Sequence, residues 1–283
     1  MTSSSPPSTV FTTLISAQQL NTYGGPVVVL DCRAKLGEPD WGYRQYQQGH
    51  LPNAQYVNLD KDLAAPPSST QGRHPLPSQD NWVSCIRRLG INNHQQVVAY
   101  DDAGGAYAAR AWWMFRWVGH EEVAVLDGGL AAWQSQNLPL DTHIHSAPET
   151  SQFVANPALQ QTIAADHIQT APGQLVDARS HERWAGKVEP IDPVAGHIPG
   201  ALCLPFNQNL DDNGYFKSAA DLKNQFSSIP TSHAPIAYCG SGVTACHNIL
   251  AMHIAGIENV LLYPDSWSGW ITDPNRPITT ENN

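Results

Sequence analysis

The hydrophobic pattern of the chain predicts short strands that alternate with helices. Apolar runs at 27–31 and 123–126 are typical of buried strands, whereas 80–89 carries its apolar residues at helical spacing. Strands that alternate with helices favour a parallel sheet covered by helices on both faces. The predicted fold class is therefore α/β, with mainly parallel sheets flanked by helices.

The same series of elements occurs twice, with four motifs that recur in the same order. The matched pairs are LDCR (30–33) and VDAR (176–179), GHLPNA (49–54) and GHIPGA (196–201), VVAYDDAGG (97–105) and PIAYCGSG (235–242), and VAVLDGGLAAW (123–133) and VLLYPDSWSGW (260–270). This self-similarity indicates two tandem copies of one domain. A polar stretch with prolines separates the copies, so we predict a first domain over 10–140, a linker over 141–160 and a second domain over 161–283.

The second copy repeats the predicted elements of the first. Strands at 174–177 and 260–262 and a helix at 219–226 have counterparts in the first copy. The central strands end at Asp101 and Cys239, and each is predicted to lead into an amphipathic helix. Residues common to both copies are interpreted as structural, namely the ion pairs Asp31–Arg33 and Asp177–Arg179 and the turn histidines His50 and His197.

The two copies differ at the end of the central strand, and this difference points to chemistry. Cys239 in the second copy takes the position of Asp101 in the first. Since the scaffold forms with an aspartate there, packing alone does not account for the thiol. In open parallel sheets, ligands bind outside the carboxyl ends of the strands, which is where Cys239 is expected to lie.

The residues after Cys239 are suited to hold a sulfur anion. A thiol is nucleophilic as the thiolate, and a free thiol with a pKa of about 8.5 is mostly protonated at neutral pH. Gly240 and Gly242 allow the backbone N–H groups to curl toward the sulfur, next to a helix N-terminus that favours an anion. Ser241 adds a hydroxyl, and Thr244 is predicted to cap the helix. The alternative is a buried cysteine that acts as a small hydrophobic residue.

Other cysteine chemistry finds less support in the sequence. A phosphatase loop needs an arginine six positions after its cysteine, and Ala245 stands there instead. Cys246 and His247 have no second pair at zinc spacing, so no metal site is predicted. The remaining cysteines are predicted to lie in the core or on a helix, without a chemical role; they are Cys32, Cys85 and Cys203.

The composition excludes several classes of protein. A formal net charge of −10 argues against nucleic acid or an anionic membrane as a partner. No apolar run approaches the about 18 residues of a transmembrane helix. The first residues lack the basic start and apolar core of a secretory signal and are expected to form a frayed tail. Five scattered cysteines do not make a disulfide framework, so a reducing, cytoplasmic setting is expected.

Together these motifs resemble the tandem-domain rhodanese superfamily of sulfurtransferases. The resemblance rests on CGSGVTA (239–245), the paired Gly-His turns, LDGGLAAW (126–133) and YPDSWSGW (263–270), and it covers nearly the whole chain. It implies two tandem rhodanese-like domains. The loop is similar to the Cys-Gly-Ser/Thr-Gly of 3-mercaptopyruvate sulfurtransferases, whereas thiosulfate sulfurtransferases typically carry Cys-Arg-Lys-Gly, whose cations suit a dianionic donor.

The resemblance implies a mechanism through a persulfide. The Cys239 thiolate attacks the sulfur of 3-mercaptopyruvate, pyruvate leaves, and the persulfide is held by the loop of Gly240, Gly242, Val243 and Thr244. A thiol such as thioredoxin or a low-molecular-weight thiol, or cyanide, then takes the outer sulfur. No metal or organic cofactor is implied. Thiosulfate is the alternative donor, and a persulfide carrier or binding module without turnover is the alternative class.

The resemblance also assigns residues for the donor and for protons. Arg183 matches a family arginine that binds the donor's carboxylate. A second family arginine is missing because Ile191 takes its place, and Lys187 or Arg110 is the suggested substitute. A relay is implied as well, formed by Ser241, His74 and Asp60. This relay would place the active site between the two domains.

Overall fold

A computed structural model describes residues 9–144 and 149–281. The predicted tail at 1–8 and part of the predicted linker, 145–148, lie outside the described residues. Within the described ranges, each half of the chain forms one five-stranded parallel sheet, and the predicted α/β class is confirmed. The strands of the first sheet are β1 (Leu14–Ile15), β2 (Val27–Asp31), β3 (Gln55–Tyr56), β4 (Gln96–Tyr100) and β5 (Val123–Leu126).

The second sheet repeats the topology of the first. Its strands are β6 (Gln161–Thr162), β7 (Leu175–Asp177), β8 (Leu202–Cys203), β9 (Ile236–Tyr238) and β10 (Leu261–Leu262). The first sheet has the order β1-β5-β4-β2-β3, and the second has β6-β10-β9-β7-β8. The central positions are thus held by β4 and β9, which end just before Asp101 and Cys239. The sequence repeat is therefore a repeat of structure.

Helices cover both sheets. In the first half they are α1 (Ala17–Asn21), α2 (Trp41–Gln48), α3 (Gln79–Arg88), α4 (Ala108–Trp117) and α5 (Gly129–Ser135). In the second half they are α6 (Ala165–Ile168), α7 (His181–Trp184), α8 (Ala219–Gln225), α9 (Thr244–Ile254) and α10 (Ser266–Trp270). Across 9–144 and 149–281, none of these helices is long and apolar enough to span a bilayer.

Helices α4 and α9 differ from the prediction, because they are not amphipathic. Every residue of α4 from Ala108 to Arg116 is buried, as is every residue of α9 from Ala245 to Met252. The reason is that the two helices pack against each other as well as against their own sheets, which leaves neither with a solvent-facing side. Side chains of both halves consequently belong to one hydrophobic cluster.

The described part of the predicted linker, 149–160, packs along the first sheet's helices. Phe153 is fully buried in the shared cluster, and its carbonyl accepts a hydrogen bond from Arg87 Nε at 2.9 Å. The Ser151 N–H donates to the Arg87 carbonyl at 3.0 Å. One buried aromatic side chain and a few hydrogen bonds thus fix this polar segment to the domain that precedes it.

The residues common to both copies have the predicted structural roles. The guanidinium of Arg33 pairs with Asp31 and donates to the Gly49 carbonyl at 2.7 Å, which ties the end of β2 to the Gly-His turn. Arg179 does the same with Asp177 and the Gly196 carbonyl, also at 2.7 Å. The turn histidines are held by main-chain carbonyls, His50 by Tyr46 and His197 by Trp184.

Candidate active site

Cys239 lies at the carboxyl end of β9, in a loop that requires glycine at position 242. The N–H of Gly242 donates to the Cys239 sulfur, with 3.1 Å between N and Sγ. Gly242 has φ +80°, and a Cβ there would stand 2.2 Å from the Pro264 carbonyl oxygen. The Cys239 N–H is itself bound by Ser266 Oγ at 3.1 Å. The loop is therefore fixed from both sides of the cysteine.

The loop and the start of α9 carry further N–H donors. Among residues 9–144 and 149–281, no protein acceptor binds the N–H groups of Ser241, Val243 or Thr244. Thr244 is the first residue of α9 and its N-cap is Val243, with no capping side chain. The prediction that Thr244 caps the helix is therefore wrong. Because the cap is absent, these donors are available to an anion at the helix N-terminus.

The structure brings together Ser241, His74 and Asp60. His74 Nδ1 lies 2.8 Å from Ser241 Oγ, and Nε2 lies 3.3 Å from Asp60 Oδ1. A carboxylate oxygen accepts, so Nε2 carries the ring proton and Nδ1 accepts from the Ser241 hydroxyl. Burial, together with Arg110 and Arg73, lowers the pKa of His74 to about 4 although Asp60 opposes this shift. The ring is consequently neutral at pH 7.

Two arginines lie over the nucleophile loop, and one of them was not predicted. A Cβ built on Gly240 would stand 3.0 Å from Arg73 Nη2 and 3.4 Å from Arg183 Nη2. Arg183 donates to Glu189 at 2.7 Å, and both arginines contact Asp192. The two guanidinium groups thus approach the same point, directly beside the residue that follows Cys239.

The predicted substitutes for the missing family arginine are corrected by the structure. Lys187 points to solvent with 54% of its side chain exposed, and it pairs with Glu281 at 2.5 Å. Arg110 is fully buried and binds main-chain carbonyls instead of facing the site. Those carbonyls are Leu63, His74 and Gly242, at 3.1 to 3.3 Å. The second cation beside Gly240 is Arg73, and its position directly before His74 in GRHPLP was the available signal.

The first domain delivers Arg73 and His74 by close backbone contact. A Cβ on Gly72 would stand 2.4 Å from the Asp265 carbonyl oxygen, so glycine permits this approach. The Arg73 N–H donates to Ser268 Oγ at 3.1 Å. Burial lowers the pKa of Arg73, and the neighbouring Arg183 acts in the same direction. The candidate site therefore lies between the two domains, with Cys239 from the second and His74 from the first.

The other four cysteines are poor nucleophiles. All five cysteines lie in the described part of the chain and are free thiols. Burial raises the pKa of Cys85, Cys203 and Cys246 to about 12 and raises that of Cys32 well above its usual value. These thiols stay protonated at neutral pH. In the ranges that the structure describes, no three His, Cys, Asp or Glu side chains are grouped so as to hold a metal ion.

Comparison with known families identifies the domain. The model of the rhodanese-like domain matches residues 16–136 and again residues 160–273. The chain belongs to the rhodanese-like family. The double match agrees with the two sheets, and it confirms the resemblance from which the active-site residues were assigned.

Rhodanese-like relatives resemble this chain over nearly its full length. A probable 3-mercaptopyruvate sulfurtransferase of Pseudomonas aeruginosa is 45% identical over 279 residues, which cover 94% of this chain and 98% of the relative. A putative thiosulfate sulfurtransferase of Mycobacterium tuberculosis is 40% identical, with 90% and 91% covered. The predicted enzyme class, a sulfurtransferase, is confirmed, whereas the names of these two relatives differ in the donor.

A solved rhodanese-like structure shares the fold. The 3-mercaptopyruvate sulfotransferase from Escherichia coli superposes with a TM-score of 0.76 at 30% identity. The match covers 91% of this chain and 100% of that structure. The tandem arrangement of two rhodanese-like domains is therefore common to both proteins.

Proposed function

We propose that this chain takes the sulfur of 3-mercaptopyruvate onto Cys239 and passes it to a thiol or to cyanide. The observation that carries the proposal is the geometry around Cys239. Its sulfur accepts one N–H, unpaired donors adjoin it, and two guanidinium groups lie over Gly240. The backbone N–H groups can stabilise a persulfide anion. The guanidinium groups can bind the carboxylate of the substrate that supplies the sulfur.

The first half-reaction forms one sulfur–sulfur bond and breaks one carbon–sulfur bond. The Cys239 thiolate attacks the thiol sulfur of the donor. The electron pair of the broken bond goes to the methylene carbon, which leaves as the enolate of pyruvate and is protonated to pyruvate. Cys239 then carries the persulfide. The donors of the 240–244 loop stabilise the negative charge of this persulfide.

Ser241 and His74 are proposed to move the proton between donor and product. The donor's thiol loses a proton and the departing enolate gains one, so one group that stores it serves both steps. The Ser241 hydroxyl is bound to the neutral His74 ring, and Asp60 fixes the tautomer through Nε2. This arrangement can accept a proton at neutral pH because His74 is unprotonated there.

Thiosulfate is the second candidate donor, and two observations favour it. Arg73 and Arg183 together supply two cations, which suits a dianion, and the M. tuberculosis relative is named for thiosulfate. The nearest carboxylates offset this charge, since Glu189 and Asp192 pair with the two arginines. Because these carboxylates neutralise the charge of Arg73 and Arg183, we favour the monoanionic donor, 3-mercaptopyruvate.

In the second half-reaction the outer sulfur passes to an acceptor. The proposed acceptors are thioredoxin, a low-molecular-weight thiol or cyanide, and no metal or organic cofactor takes part. The acceptor's thiolate attacks the outer sulfur of the persulfide, and the Cys239 thiolate leaves. Free cysteines throughout the chain support a cytoplasmic location, where thiols stay reduced.

The donor is tested by paired assays on one protein preparation. Pyruvate formation from 3-mercaptopyruvate is compared with thiocyanate formation from thiosulfate and cyanide. We expect the higher kcat/KM with 3-mercaptopyruvate, and a higher kcat/KM with thiosulfate would reverse the choice of donor. Cys239→Ser is expected to abolish both reactions. Cys203→Ser, in the same domain, is the matched control and should retain both.

A further inference from the structure

Asp192 is a carboxylate of the chain itself that lies between the two arginines of the site. One of its oxygens, Oδ1, contacts Arg73 Nη1, and Oδ2 accepts from Arg183 Nη2 at 3.1 Å. Its side chain is only 3% exposed. Each carboxylate oxygen therefore has a guanidinium from a different domain. Two arginines that each hold one oxygen are a common way for proteins to bind a carboxylate ligand.

The position of Asp192 matters because its two partners border the nucleophile loop. The Nη2 atoms of Arg73 and Arg183 approach the same point over Gly240, within 3.0 and 3.4 Å. Cys239, one residue earlier, is only 2% exposed. The sulfur of a donor must reach Cys239. When it does so, the carboxylate of the same donor can lie beside these guanidinium groups. In the structure those groups are already bound to a carboxylate.

Glu189, the neighbouring carboxylate, has a different role. It accepts hydrogen bonds from Arg183 and Arg179 and from the N–H groups of Ile191 and Asp192. This fixes the main chain of the 189–192 segment. The Asp192 carboxylate, by contrast, is bound only by Arg73 and Arg183 among the described residues. A ligand that displaces this carboxylate has to replace only its contacts with Arg73 and Arg183.

We propose that Asp192 occupies the site of the donor's carboxylate in the resting enzyme and that a donor binds by displacing it from Arg73 and Arg183. The identity of that donor rests on the proposed function, whereas the displacement does not. Asp192 then sets the affinity for anionic donors. With Asp192 in place, the charges of Arg73 and Arg183 are balanced by Asp192 and Glu189. Without its charge, one cation is left for the ligand.

The test uses Asp192→Asn, which keeps the shape of the side chain and removes the charge. Pyruvate, the smallest ligand with the carboxylate of the donor, is titrated into the resting full-length enzyme by calorimetry. We expect its Kd to fall about tenfold, as for one gained charge interaction near a protein surface. The KM for 3-mercaptopyruvate should fall in parallel, with the effect on KM and not on kcat. Asp166→Asn removes an exposed aspartate paired with Arg276 and is the matched control.

Two results decide the proposal. Tighter pyruvate binding in Asp192→Asn, with no change in Asp166→Asn, supports it. Unchanged or weaker binding overturns it and leaves Asp192 as an organiser of the arginines. Asp192→Ser repeats the test if the asparagine variant lacks a native melting transition. A wild-type preference for thiosulfate would refute the proposed donor, yet the pyruvate titration would still test the displacement.

Discussion

The loops after β4 and β9 occupy equivalent places in the two domains, but they differ in how many of their backbone N–H groups are bound by a side chain of the loop itself. In the first domain, the Asp101 carboxylate accepts four backbone N–H groups, each at 2.8 Å. In the second, the Cys239 sulfur accepts a single N–H from the described part of the chain, that of Gly242. We call the N–H groups of residues 103–108 the first cradle and those of residues 240–244 the second cradle. The first cradle is occupied by the Asp101 carboxylate, and the second retains N–H groups that can bind a ligand. The two copies thus differ in whether a side chain of the loop itself binds these N–H groups.

The length of each loop fits its content. Helix α4 begins seven positions after Asp101, whereas α9 begins five positions after Cys239. The longer loop gives the carboxylate room for its four donors, and it also reaches the other domain. The Gly104 carbonyl accepts from His247 Nε2 at 3.0 Å. The first loop has therefore become part of the contact between domains.

Filling the second cradle in the manner of the first should have the largest effect. Cys239→Asp is expected to abolish sulfur release from both donors, because it removes the nucleophile and offers the loop N–H groups an internal anion. The protein should stay folded, with a melting temperature at or above that of Cys239→Ser, since a carboxylate satisfies donors better than a hydroxyl does. Sulfur release by the aspartate variant would contradict the comparison of the two loops.

Emptying the first cradle should cost stability and not chemistry. Asp101→Ala leaves four backbone N–H groups without their acceptor, so we expect a loss of about 3–5 kcal/mol in the free energy of unfolding. Urea denaturation measures this loss. Asp102→Ala, an exposed neighbour, is the matched control and should change stability by about 0.5 kcal/mol or less. A similar small change in Asp101→Ala would show that the carboxylate does not hold the loop.

Acid should loosen the contact between the two loops, and of the three predictions this one has the smallest effect per residue. Burial lowers the pKa of His247, which bonds Gly104, to about 4, and it does the same for His74 and His120. In the unfolded chain these histidines take up protons near pH 6.5. The stability that they contribute as neutral groups is therefore present above pH 6.5 and is lost as the pH falls from there toward 4.

Each of these histidines is expected to contribute about 1–2 kcal/mol to the difference in unfolding free energy between pH 7 and pH 5. Urea denaturation at both pH values gives the total. His247→Asn should reduce the pH dependence, whereas His233→Gln, which replaces an exposed histidine, should leave it as it is. Equal stability of the wild type at pH 7 and pH 5 would contradict the burial of neutral histidines.

Much of the fold could be predicted from the sequence, because each strand and motif of one copy has a counterpart in the other copy that supports the same assignment. The strands β2 and β5 were predicted to the residue, and the exchange of Asp101 for Cys239 indicated the candidate nucleophile. The burial of α4 and α9 was not predictable from either helix alone, since it depends on the partner domain. Arg73 was missed for the same reason. It reaches the site across the domain contact, where Gly72 allows the backbones to meet.

The side-chain partners of charged residues were the least predictable part of the site. Lys187 was close enough in sequence to serve the donor, yet it pairs with Glu281 near the far end of the chain. Asp192 follows Ile191, the position where a family arginine is absent, and it carries the opposite charge. Its contact with Arg73 joins residues 119 positions apart, and no local pattern indicates such a pair.

The most direct measurement locates the transferred sulfur. The wild-type protein is treated with 3-mercaptopyruvate in the absence of an acceptor, alkylated, digested and analysed by mass spectrometry. We predict one additional sulfur on Cys239, located by the fragment ions of its peptide, and none on Cys32, Cys85, Cys203 or Cys246. Additional sulfur on any of those four, or none on Cys239, would contradict the assignment of the open cradle as the sulfur carrier.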